Sequence, residues 1–208
     1  MTDRWLGWHF LREDGRTAYG WRKPRPGRMM HCKGPLELCA NGLHASVRAI
    51  DALSYAPGPI IQRVELVGRR LDEQDKSCAR SRRCLWLADA TRVLHEFANW
   101  CAEGALDTER LAGREPDRRS VEVLAVKRRW LDGQATDEEL SYVRGAAWDA
   151  VQELRVATRE AVWVAAQDAA WAATREAVWV AARAVARQSH NVELHNRLMS
   201  LAPEGYTE

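Results

Sequence analysis

The chain has 208 residues, 46% of them apolar and 29% charged, which is the balance of a chain with a core and excludes a collagen-like, low-complexity or wholly disordered one. No run approaches the roughly 20 uninterrupted apolar residues that a membrane span needs. Met1-Thr2-Asp3-Arg4-Trp5 does not open a charged-then-apolar leader with a small-residue cleavage site, so the expectation is a cytoplasmic protein with no membrane partner. The net charge of +2 hides an asymmetry: residues 1–85 carry 16 Lys/Arg against 9 Asp/Glu, and residues 86–208 carry 15 against 20. A basic first part favours a nucleotide, a nucleic acid or an acidic protein as partner. The alternative is plain arginine preference, since 27 of the 31 cations are Arg.

The first part reads as short strands and turns. Gly7 to Arg12 and Thr17 to Arg22 flank Asp14-Gly15, a hairpin turn signal. Pro24, Pro26 and Gly27 mark a loop. Leu36 to Cys39 is a short strand ended by Asn41-Gly42. Ser46 is placed to cap a short helix over Val47 to Tyr55, which Pro57-Gly58-Pro59 stops. Ile60 to Val67 reads as a strand closed by Gly68, and a charged loop over Arg69 to Arg83 leads to Cys84-Leu85-Trp86-Leu87. Together these predict a small mixed-sheet α+β module over residues 1–87.

From Ala88 the pattern becomes helical. Asp89 is an N-cap, Val93, Leu94, Phe97, Trp100 and Cys101 recur at three- and four-residue steps, and Gly104 ends the helix. Pro116 opens a second helix bearing Val121, Leu124 and Leu131, ended by Gly133. Thr136-Asp137-Glu138-Glu139 is a capping box that announces a third. Residues 146–202 contain neither Gly nor Pro and have high helix propensity. Within them Thr158 to Ala166 and Thr174 to Ala182 both read TREAVWVAA. Trp171 lies between the two copies, so the working period is eight residues. At 100° per residue Trp163, Trp171 and Trp179 spiral through ~160° of a straight helix, too wide for a single amphipathic face. Residues 88–208 are therefore expected to be an Ala/Trp-rich helical bundle packed against the first module, offering a protein partner or self-association through the helical part.

Five cysteines without a secretion signal argue against a disulfide framework. His31, Cys32, Cys39 and His44 lack the tight pair spacing of structural zinc sites, so no metal and no cofactor is expected. The most pointed stretch is Leu38 to Ser46, where His44 follows a turn glycine at the edge of a short helix and is a candidate acid, base or ligand. Asp75 and Lys76 are expected to meet His44 across the strand from Ile60 to Val67, with Asp75 orienting the imidazole. The competing arrangement packs the His44 ring on Tyr55 or Leu53. Arg22, Lys23, Arg25 and Arg28 are the candidate nucleic-acid contacts. The basic excess is spread from Arg4 to Arg83 and interleaved with acids, so tight binding of nucleic acid is not expected.

Cys39, Gly42, His44, Ala45, the apolar run Ile50 to Tyr55, the strand ending at Gly68, and Asp75-Lys76 resemble a domain of unknown function common in phage and prophage proteins. Its members read roughly Cys-x-x-Gly-Phe-His-Ala, then Leu-Asp-x-x-x-Tyr, a Val-rich strand and Asp-x-Lys. Here Leu43 replaces the Phe, and Asp75 adjoins Lys76. The resemblance covers about residues 17–90 and implies no established activity. The tail from about Phe97 resembles helical tails of phage and actinobacterial proteins, some labelled immunity proteins. A more distant likeness joins Gly42-Leu43-His44-Ala45-Ser46, Ala52 and Tyr55 to ADP-ribosyltransferases, which bind NAD in a split mixed sheet. That likeness implies His9 as the first-strand residue of the site and puts His44 where the family has Tyr. Its catalytic Glu has only Glu65 and Glu73 as candidates. Three expectations follow: a phage- or prophage-type interaction protein docking on a host or phage protein, an enzyme acting on a nucleotide or NAD through His44, Asp75 and His9, or a weak nucleic-acid binder. Lys76, Arg22, Lys23, Arg25 and Tyr55 are the expected binding residues.

Overall fold

A computed structural model describes residues 5–19, 22–149 and 187–208. The repeat, with Trp163, Trp171 and Trp179, lies outside the described residues. The fold is α+β. Its strands are β1 (Trp5–Leu11), β2 (Met29–His31), β3 (Leu43–Ala45), β4 (Ile60–Asp72) and β5 (Ser77–Asp89), and its named helices are α1 (Ala49–Leu53), α2 (Thr91–Leu111) and α3 (Arg118–Leu131). Residues 137–149 and 187–199 are also helical. No helix among the described residues is long and apolar enough to cross a membrane.

The sheet is antiparallel at every pairing, which corrects the expected mixed sheet. Among the described residues of 17–22 none lies in a strand beside β1. The Asp14-Gly15 turn does form, with the Gly15 N–H donating to the Arg12 carbonyl at 2.8 Å, but β1 pairs with β4 from Trp5 opposite Leu66 to Leu11 opposite Ile60. Leu36 to Cys39 is not a strand: Glu37 bridges Asn41 around a turn, and the strand comes afterwards as β3. Ser46 does not cap α1, whose N-cap is Arg48 without a side-chain hydrogen bond. Ser46 instead exchanges two backbone bonds with Trp8, at 2.7 and 3.0 Å.

The charged stretch over Arg69 to Arg83 is mostly strand rather than loop. β4 and β5 form one long hairpin, turned at residues 73–76 by the Glu73 N–H donating to the Lys76 carbonyl at 2.8 Å. Gly68, at φ 87°, sits where the register slips between Val67 and Arg70. The glycine accommodates a left-handed bulge that bends the strand instead of ending it. β2 and β3 both pair with β5, and the Trp8–Ser46 bonds tie the end of β3 back to β1, so the sheet curls on itself. Gly7 allows that approach: a Cβ there would lie 2.9 Å from the Ala45 Cβ.

Strand side chains alternate between faces. Trp8, Arg63 and Trp86 are cross-strand neighbours and share the convex face. His9 and Gln62, and Leu66 and Arg82, are paired on the concave one, where Ala45, Val64, Leu66 and Ala79 form a small apolar cluster. Residues 187–208 belong to the same compact unit as residues 5–94. The Trp8 ring meets His195 edge-on at 5.5 Å, Trp86 meets Tyr206 at 6.0 Å, and Arg187 pairs with buried Asp51 at 2.7 Å.

The second unit begins within α2 at His95. Asp89 accepts from the Thr91 N–H at 2.8 Å, as an N-terminal capping residue should. α2 runs through Gly104 to Leu111 rather than ending there. Asp117 caps α3 through the Arg119 N–H. The capping box forms in both directions: the Thr136 N–H donates to Glu139 Oε2 at 2.7 Å, and the Glu139 N–H to Thr136 Oγ1 at 3.1 Å. Val126, Leu140 and Val143 are the buried centre of this unit, flanked by Trp130.

Candidate functional site

The concave face gathers polar groups from four strands. His9 on β1 faces Gln62 on β4, and the Gln62 amide contacts His9 Nδ1 at 2.9 Å. Gln62 is 0% exposed and its Oε1 has no partner. An amide presents one acceptor and one donor group, so reversing it would only change which atom is left over.

Arg82 on β5 is 2% exposed. Its Nη1 donates to the backbone carbonyl of His44 on β3. No carboxylate among the described residues pairs with it. Burial pulls its pKa down to about 10, a shift that the nearby Cys84 only partly offsets. A buried guanidinium facing neutral groups is a costly arrangement, because water that solvated it has been replaced without a counter-charge.

The histidines are electrostatically tied to the same group. The His9 pKa is pushed well below 6.5 by burial, then by Arg82 and by His44. That of His44 is lowered by burial, Arg82 and Lys76, against a smaller opposing effect from its Gly42 backbone contact and Glu73. Both rings are therefore neutral at pH 7. His44 Nε2 accepts the Cys39 N–H at 3.2 Å. Cys39 holds a left-handed conformation at φ 63° in the turn before Asn41-Gly42, so the turn does position the imidazole.

The expected partnership of His44 with Asp75 does not form. Asp75 Oδ2 accepts from the Tyr55 hydroxyl at 2.6 Å, and that bond raises the Tyr55 pKa. Lys76 lies 5.0 Å from the Tyr55 ring centroid and 3.2 Å from Glu73 Oε2. Hydrogen bonds to Cys39 and Glu73 hold its pKa up. Tyr55, Asp75 and Lys76 thus make a partly exposed cluster at the hairpin turn, and it is Lys76 and Glu73 of that turn whose charges reach His44. Arg22 Nη1 donates to the His31 carbonyl at 2.6 Å, while Lys23, Arg25 and Arg28 are exposed on the following loop. His31 contacts Ser81 through Nδ1 at 2.9 Å. Among the described residues no group of three or more His, Cys, Asp or Glu is placed to hold a metal, and no disulfide joins the five cysteines.

Sequence reasoning missed Arg82 and Gln62. Gln62 interrupts a β-branched run, Ile60-Ile61-Gln62-Arg63-Val64, and a polar residue inside such a run is a signal that can be found. Arg82 lies in Arg80-Ser81-Arg82-Arg83, where nothing local distinguishes it from its solvated neighbours. No family model, no curated protein and no solved structure matches the chain.

Proposed function

We propose that this chain is an interaction protein of phage or prophage type whose basic sheet unit binds an anionic group of its ligand on the concave face. The observation that carries the reading is Arg82, a buried guanidinium that donates to the His44 carbonyl, lowers the pKa of both His9 and His44, and pairs with no carboxylate among the described residues. Such a group is what a phosphate or carboxylate ligand needs, since a charge-assisted hydrogen bond in a dry site is stronger than one in water. The Cys39-to-Lys76 motif supports the phage-type assignment.

A second reading, an enzyme acting on a nucleotide or NAD, is supported by His9 and His44, which both respond to the Arg82 charge. The two carboxylates available to it are engaged elsewhere, Glu65 with Arg83 at 3.2 Å and Glu73 with Lys76. Thermal-shift titrations with inorganic phosphate, AMP and NAD test both. Binding to the folded state alone adds about 2.7 kcal/mol of stability at a hundredfold excess over Kd. The binding reading expects stabilisation of the wild type that Arg82→Met abolishes, with the ligand recovered intact. Breakdown of NAD would favour the enzyme. No stabilisation by any of the three, or equal stabilisation of Arg82→Met, would remove the anion site.

A further inference from the structure

The convex face carries a second feature, independent of the Arg82 site. Arg63 lies at its centre, 5% exposed, with its guanidinium carbon 4.6 Å from the Trp8 ring centroid. Arg63 Nη2 donates to Glu208 Oε1 at 2.7 Å. Arg63 Nε and Nη1 have no hydrogen-bond partner, and neither do Trp8 Nε1, Trp86 Nε1 and the Tyr206 hydroxyl, although all five atoms are buried. Buried donors are almost always satisfied, because an unmet one forfeits its hydration without return. A carboxylate can take two parallel bonds from a guanidinium, whereas Glu208 is engaged through one nitrogen and its side chain remains 33% exposed. Leaving aside the Tyr206 hydroxyl, which belongs to the occupant, the face offers four donors that its present occupant does not use.

That occupant is a short element with a defined chemistry. Tyr206 packs on Trp86 and Glu208 pairs with Arg63, an aromatic residue two positions before a carboxylate. The rest of the segment is anchored separately. Leu194 and Leu198 are fully buried, and Asn191 accepts from the Ile50 N–H at 3.3 Å. Tyr206 and Glu208 are thus held by contacts separate from those that anchor residues 187–199, an arrangement that permits local opening.

We infer that the Trp8–Arg63–Trp86 face is a docking site for an acidic peptide of the form aromatic-x-Glu, which Tyr206-Thr207-Glu208 fills from within the chain and which such a peptide on another protein can displace. The partner is recognised by an aromatic ring stacked edge-on against Trp86 and a carboxylate held by Arg63, with further peptide carbonyls available to the indole N–H groups.

Calorimetric titration of the full chain carrying Tyr206→Ala and Glu208→Ala tests this, with a synthetic amidated peptide of residues 200–208 as the probe. The expected result is binding at least about tenfold tighter than to the wild-type chain, whose own segment competes. A peptide with Gln in place of Glu208 should bind the variant at least about tenfold more weakly, the loss expected for one charge-assisted bond. The indole N–H signals of Trp8 and Trp86 should move on titration. If the double variant does not fold, the Glu208→Gln chain takes its place with the same two peptides. Equal affinity for the Glu and Gln peptides, or no binding of either at millimolar concentration, would overturn the inference.

Discussion

Arg63 and Arg82 are both buried in one antiparallel sheet, on opposite faces, and their surroundings differ in kind. Arg63 has a carboxylate at 2.7 Å and an aromatic ring beneath it. Arg82 has a backbone carbonyl and two histidines whose protonation it opposes. A buried cation with a counter-charge is accounted for by packing and pairing within the fold. One without a counter-charge among the described residues, as Arg82 is, costs stability that its bond to the His44 carbonyl offsets only in part, and strongly perturbed groups of that kind gather at functional sites. The contrast ties the convex face to residues 187–208, whose Tyr206 and Glu208 fill the proposed peptide site, and makes the concave face the place of the proposed anion site.

The largest effect should come from emptying the paired side. Glu208→Ala leaves Arg63 buried with no acceptor and should cost about 1–3 kcal/mol, the penalty for an orphaned buried donor. The full cost of breaking a buried pair is discounted because Glu208 itself is partly solvated. Chemical denaturation reads this directly, and a change within about 0.3 kcal/mol would show the Arg63 pair to be incidental.

A pH series sharpens the other side. His9 and His44 have folded pKa values below the 6.5 of the unfolded chain, so the unfolded state takes up protons first. Stability from these groups is complete above about pH 6.5 and is lost as the pH falls below it. His95 and His195 shift in the same direction, so His9→Gln should flatten the decline in Tm between pH 7 and 5 without abolishing it. An unchanged slope would place His9 outside the Arg82 cluster. The smallest effect is a control. Arg83 pairs with Glu65 on the convex side but is half exposed, and Arg83→Ala should cost no more than about 1 kcal/mol.

Local chemistry was legible in the sequence wherever a few adjacent residues decide it. The Thr136–Glu139 box, the Asp89 cap and the Asp14-Gly15 turn all depend on short-range backbone bonds. Strand pairing was less legible. Arg69, Arg70, Arg80, Arg82 and Arg83 make residues 69–83 read as a solvated loop, although in a strand they alternate between faces and Arg82 turns inward. Gly68 read as a strand end because a glycine there looks the same whether it stops a strand or bends it. Asp75 read as a partner for His44 because sequence separation does not reveal that Tyr55 lies closer. Ser46 read as a helix cap because its hydroxyl suits one, whereas its backbone serves the link to Trp8. The site was half visible: His44 stood out by its place after a turn glycine and His9 through a family likeness, and Arg82 did not stand out.

The sign of the stability change in Arg82→Met tests the contrast most directly. Replacing an uncompensated buried charge by an apolar side chain of similar length removes a desolvation cost, as replacements of buried ions by packed hydrophobes do. Against this stands one lost bond to the His44 carbonyl, worth about 1 kcal/mol. Urea denaturation without added ligand should therefore find Arg82→Met as stable as the wild type or more stable, by up to about 2 kcal/mol. A loss of 2 kcal/mol or more would contradict the account, because it would make Arg82 a structural residue like Arg63 and leave the concave face without a recognition group.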